Sequence, residues 1–139
     1  MRAHPVTAPP SVRSAAAARR LLRPLVGTPP TEQTLTFLLD HRWAGGLIVA
    51  VDHTHLPEHL LGVVEVMSIA GSRTPPVRSL VVATVRPQGA MLPSDAELWQ
   101  TAAETAGRHD IELVEWFVIG TEGFQCPREL AGCPSRWPT

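Results

Sequence analysis

Four short apolar runs, Leu35–Leu39, Leu47–Val51, Leu80–Val85 and Val114–Ile119, divide this chain into strand-length pieces. Runs of five or six residues rich in Val, Ile, Leu and Phe fit strands with both faces buried and are too short for packed helices. Between them the period changes. Pro57 stands at a first helical position, with Thr54 or His55 as candidate cap, and Leu60, Leu61, Val64, Met67 and Ile69 follow as far as Gly71. Ser94 is a second candidate cap. Asp95 and Glu97 then occupy the first turn, where negative charge suits the helix dipole, and Ser94 with Glu97 fits a capping box. That helix runs on through Leu98, Thr101, Ala102, Thr105 and Ala106 to Gly107. An earlier helix opens near Ser11 and carries Val12, Ala15, Ala16, Arg19 and Leu22, until Gly27, Pro29 and Pro30 stop it.

The first two runs read as an antiparallel pair joined by residues 40–46. A short last strand, Phe124–Cys126, follows a turn over residues 120–123. Strands separated by helices predict an α/β fold, a mixed β-sheet flanked by helices in a single domain. Residues 13–130 make up that domain. Residues 1–12, with three prolines and no apolar period, are expected to be a disordered tail, and 131–139 a C-terminal tail.

At 139 residues the chain is long enough for one sizeable core. Its net charge of −1 points to no polyanionic partner as a whole, yet Arg2, Arg13, Arg19, Arg20 and Arg23 precede the first acid, Glu32. A basic helix of this kind either presents a solvated face or touches nucleic acid. No apolar run approaches the roughly 20 residues that cross a bilayer. Arginines interrupt the leucines that would form a secretory signal. Free thiols in the cytoplasm are therefore the expectation for Cys126 and Cys133. Two thiols alone fall short of a structural zinc site.

Thr84 to Glu97 reads T-V-R-P-Q-G-A-M-L-P-S-D-A-E. The stretch resembles the metal-binding signature of the JAB/MPN (JAMM) domain family, H-x-H-P-x(6)-S-x-x-D, with its spacing intact. Pro87, Gly89, Pro93 and Ser94 stand where RadC-type members carry the same residues. The two signature histidines fall on Thr84 and Arg86, and the aspartate on Glu97. Elsewhere Leu22–Gly27 resembles the helix end before the RadC catalytic domain, and Glu32 falls at the catalytic glutamate. His55–Leu61 resembles the start of the long helix, and Ile111–Gly120 the last core strand, with Glu115-Trp116 in place of an Asp-His pair. The resemblance spans about residues 15–130 and implies a cytidine-deaminase-like α+β fold of the JAB/MPN type.

In active relatives two histidines and an aspartate hold Zn²⁺, the glutamate takes a proton from the metal-bound water and the serine supports the oxyanion. Here threonine is a poor zinc ligand, and arginine is permanently cationic and repels a divalent ion. The resemblance thus implies no zinc and no other cofactor. Glu32 and Ser94 keep the catalytic positions without activity, and Thr84, Arg86 and Glu97 mark the former metal positions. Two readings of Arg86 follow: either its guanidinium stands between Glu32 and Glu97 as the replacement positive charge and holds the old site by ion pairing, or it points to solvent. A non-hydrolytic domain of this type implies a binding or scaffolding role with a protein partner. The RadC resemblance also raises an accessory role in DNA metabolism, and a residual hydrolase would need a noncanonical site.

His55-Leu56-Pro57-Glu58-His59 also spells H-x-x-E-H, the inverted zinc-protease spacing. That motif needs both histidines on one helical face, and Pro57 at the first turn leaves His55 outside. His53, His55 and His59 could still form a surface metal site, although clustered loop histidines are usually solvated. Trp116 is expected in the core, and Trp99 in the core or in space left by a vanished groove.

Overall fold

The structure, a computed structural model, describes residues 1–5, 11–45 and 47–138. Its elements in chain order are β1 (Arg2–Pro5), α1 (Ala15–Leu22) with a 3₁₀ turn over Arg23–Leu25, β2 (Gln33–Asp40), β3 (Leu47–Asp52), α2 (Pro57–Ser72), β4 (Val77–Val85), α3 (Asp95–Gly107), β5 (Glu112–Gly120), β6 (Gly123–Gln125) and α4 (Pro127–Leu130). They build one mixed sheet of six strands in the order β1-β3-β2-β4-β5-β6. β2 pairs antiparallel with both β3 and β4. β4 and β5 are parallel, as a strand–helix–strand crossover through α3 requires.

Strand alternation sends side chains to two cores. Leu35, Phe37, Leu39, Val81, Ala83 and Val85 pack beneath α1, against Ala18 and Leu22. Leu80 and Val82 face the opposite way, toward Leu60 and Val64 of α2 and Trp99, Ala102 and Ala106 of α3. Along β5 the parity would break, but Leu80 pairs with Leu113 and Val81 with Glu115, so Val114 is an extra residue. This bulge turns Trp116 and Val118 toward α2 and α3 and Phe117 and Ile119 toward α1.

Both ends of the chain depart from expectation. Arg2–Pro5 is not a disordered tail; it forms β1, antiparallel to β3, and the Arg2 guanidinium reaches Asp52 at 2.7 Å and Gln33 at 3.0 Å. An edge strand of four residues has too little apolar pattern to be seen in a sequence. Residues 6–10 of the expected tail lie outside the described residues. Ser11 bridges to Ala44 and Val12 N–H donates to Trp43 O at 2.7 Å, so this stretch is fastened to the β2–β3 turn and the helix starts later, at Ala15. Ser14 caps it, accepting from Ala17 N–H at 3.1 Å.

Nor is 131–139 a loose tail over its described part. Arg128 in α4 forms an ion pair with Glu115 (Nε to Oε2, 3.0 Å) and donates to Cys133 O at 2.8 Å. Trp137 Nε1 donates to the same Glu115 at 3.1 Å, and its ring packs at 6.0 Å from that of Trp43. Arg136 donates to Leu113 O and lies over the Trp99 ring. Cys126 and Cys133 are both free, and they pack against opposite cores of the sheet.

Candidate functional site

The sheet register decides which residues meet. Thr34 lies opposite Thr84 on the β2–β4 ladder, and Gln33 opposite Val85. Glu32 and Arg86 follow directly beyond this last pair, at the same end of the sheet. Glu32, Thr84 and Arg86 share the parity of Leu80 and Val82, so all three belong to the face covered by α2 and α3. There the starts of both helices diverge from the sheet and leave a cleft of about 780 Å³. Glu32, His55, Thr84, Arg86, Ser94, Glu97 and Trp116 all line it, so the residues singled out in the sequence come together in space.

Among the described residues Arg86 forms no ion pair with Glu32 or Glu97. Its guanidinium meets Asp95 in a two-point ion pair, NH1 to Oδ2 at 2.7 Å and NH2 to Oδ1 at 2.9 Å, and NH1 also donates to Ala90 O at 3.0 Å. The Asp95 side chain is only 2 % exposed, and Oδ2 takes a third bond from Leu92 N–H at 2.7 Å. Asp95 wins because it opens α3, where a carboxylate turned back toward the loop satisfies both the guanidinium fork and a loose amide. Glu97, two residues on, is exposed. The sequence showed Asp95 only as first-turn acid; its spacing of nine from Arg86 carries no helical or strand signal.

The loop that carries Arg86 is pinned to the end of β5. Arg86 N–H donates to Ile119 O and Thr121 N–H to Gly89 O, both at 2.8 Å. The Gly89 carbonyl crosses Gly120 so closely that a Cβ there would collide with it. Below the loop, Trp116 Nε1 donates to Thr84 Oγ1 at 2.9 Å, and the Arg86 guanidinium sits 6.0 Å from the Trp116 ring centre. Thr84 thus serves as acceptor for the indole.

Across the cleft, His55 Nδ1 lies 3.3 Å from Glu32 Oε1, an ion pair only when the imidazole is protonated. Helix α2 begins at Pro57, which leaves His55 outside it as the proline requires. Its cap position is Leu56, not Thr54 or His55. Thr54 instead shares a 2.7 Å hydrogen bond with Thr34, and the exposed Leu56 N–H donates to His59 Nδ1 at 3.2 Å. Ser94 holds the cap position of α3, but its side chain makes no capping bond and is exposed, so the capping box with Glu97 is not formed. Trp99 is buried in the α2–α3 core away from the cleft.

The donors present do not suit zinc. Thr84 is engaged by an indole N–H, Arg86 brings a fixed positive charge, and Asp95 is saturated by that charge. Among the described residues no three His, Cys, Asp or Glu side chains converge on a metal position.

The basic N-terminal helix is less open than its sequence suggests. Arg19 lies over the Phe117 ring at 5.8 Å and Arg23 over the Phe124 ring at 5.6 Å. Arg20 and Arg23 are nonetheless exposed, and only Arg19 of the three is half-buried. At the far edge, the Cys126 thiol is buried and pushed up to about 11, by burial first and by the Glu115 and Glu129 charges next. Among the described residues no helix is long and apolar enough to cross a membrane. No protein-family model matches this chain, and no curated protein matches it.

Proposed function

We propose that this chain is a RadC-like JAB/MPN domain that has exchanged its metal chemistry for an arginine–carboxylate pair and works as a non-hydrolytic binding or scaffolding module in the cytoplasm. The observation that carries this reading is the two-point Arg86–Asp95 pair. It lies in the cleft where the signature positions Glu32, Thr84, Ser94 and Glu97 also converge. A guanidinium held by two hydrogen bonds is a permanent cation at the second histidine position and opposes entry of a divalent ion. Glu32 retains the position of the base without a metal-bound water to act on. Ser94 is in the oxyanion position with no acyl intermediate to support.

Metal analysis of untagged protein tests the reading. The natural chain should contain no stoichiometric zinc and cleave no peptide or isopeptide bond. A variant carrying Thr84→His, Arg86→His, Glu97→Asp and Asp95→Asn should gain chelator-sensitive zinc, with Asp95→Asn included because removing Arg86 strands a buried carboxylate. Stoichiometric zinc in the natural chain would instead make it a metal-dependent hydrolase with a noncanonical site. The accessory role in DNA metabolism has weaker support, since its basis is three arginines, of which Arg19 is half-buried over the Phe117 ring. Salt-dependent DNA binding lost on changing Arg19, Arg20 and Arg23 would revive it.

A further inference from the structure

We propose that the cleft docks a protein partner through an inserted lysine or arginine side chain flanked by apolar residues; this names the partner class for the binding role above and rests on that reading. Among the charges lining the cleft, Arg86 and Asp95 cancel in their two-point pair. Glu32 and Glu97 remain in excess. The ionic neighbour of Glu32 is His55, a cation only when protonated, and Glu97 has no ion-pair partner among the described residues.

The walls between these carboxylates are apolar. Leu60, Leu61, Leu98 and Trp116 line the interior, while Leu56 at 41 % and Leu92 at 53 % exposure hold the rim. The volume of about 780 Å³ lies within the range of roughly 300–1,000 Å³ typical of ligand pockets. A basic side chain satisfies both features at once: its methylene stem lies along the leucines and its charged head reaches a carboxylate. Apolar neighbours on the partner then cover Leu56 and Leu92. An anionic group would meet Glu32 and Glu97, and the α3 N-terminus that would draw it is already faced by Asp95 and Glu97.

The full chain can be titrated with two blocked peptides, acetyl-Ala-Leu-Lys-Leu-Ala-amide and the same peptide with Glu in place of Lys, with n-hexylamine as a third probe. The Trp116 indole N–H resonance reports occupancy, because that group lies in the cleft wall. The Lys peptide should bind at millimolar concentration or better and the Glu peptide at least tenfold more weakly. Glu32→Gln and Glu97→Gln should each weaken the Lys peptide roughly three- to tenfold, the effect of losing one partly screened charge. Both positions are partly or fully exposed, and thermal melts of the two variants confirm that they fold.

Equal binding of the two peptides, indifference to both glutamine variants, or no binding overturns the proposal. Hexylamine binding as tightly as the Lys peptide overturns the assignment to a protein partner. Zinc in the natural chain would sink the non-hydrolytic reading, and repeating the peptide titrations after chelation reads the charge effects without the ion, so the two failures are distinguishable.

Discussion

Arg86 and Asp95, nine residues apart, are locked fork to fork at 2.7 and 2.9 Å, with the carboxylate 2 % and the guanidinium 23 % exposed. Such a pair contributes little relative to an apolar pair of the same shape, but removing one member leaves a buried charge alone. Arg86→Ala should therefore cost about 2–3 kcal/mol, less than a fully buried pair because water reaches the arginine. Arg86→Met combined with Asp95→Asn should recover much of the loss, since the amide still accepts from Leu92 N–H. Denaturant unfolding of the natural chain and the two variants decides it, and an unchanged midpoint for Arg86→Ala would show that the pair holds nothing.

Gly120 fixes the loop that presents Arg86. A Cβ at this position meets the Gly89 carbonyl, which is itself tied down by Thr121 N–H. Backbone cannot yield as a flexible side-chain tip can, so Gly120→Ala should destabilise by about 1–3 kcal/mol and shift the loop. The Trp116 indole resonance should move with it. Gly107→Ala, where nothing lies within 4 Å of an added Cβ, is the matched control. Equal stability of the two variants would contradict the close approach.

Much of the fold was legible because it rests on local signals. The four apolar runs became β2, β3, β4 and β5, and Pro57 and Ser94 mark where α2 and α3 begin. What escaped depends on distant partners. β1 exists through pairing with β3, the C-terminal segment through Glu115, and neither leaves a period in its own residues. The site was half legible. Parity along β2 and β4 places Glu32, Thr84 and Arg86 at one end of one face, but the choice of Asp95 over Glu97 turns on helix-start geometry. Trp116 joins the cleft only because Val114 is a bulge, which strict alternation from Leu113 does not foresee.

Glu115 is the least exposed charge in the molecule at 0 %, and Arg128 at 9 % is its counter-ion. Burial raises the Glu115 carboxyl above its ordinary range, despite the bonds from Arg128 and Trp137. The unfolded chain therefore releases this proton first, and the group's contribution to stability falls as pH rises from the ordinary glutamate value through the raised one. Arg128→Met strands the carboxylate and should cost about 3–5 kcal/mol at pH 8. At pH 5 the loss should be smaller, because protonation relieves the buried charge. Adding Glu115→Gln should restore most of the stability and remove the pH difference. A cost for Arg128→Met that is the same at both pH values would refute the buried-charge account.

The two thiols should separate by reactivity. Cys126 is buried among Ile119, Phe117 and the residues beneath α1, and its thiol is pushed up to about 11. At pH 8 such a group is on the order of one part in a thousand thiolate, and the thiolate is the nucleophile. Cys133 is half-buried at the other side of the sheet and reaches solvent. Iodoacetamide should therefore label the native chain once, at Cys133, and reach Cys126 only as the protein unfolds. The rate at Cys126 should then follow denaturant concentration, and Arg128→Met, which loosens the α4 segment beside it, should speed that labelling. Mass spectrometry of the modified peptides reads both sites. Two equally fast labels on the native chain would mean that Cys126 is not held in the core beneath α1.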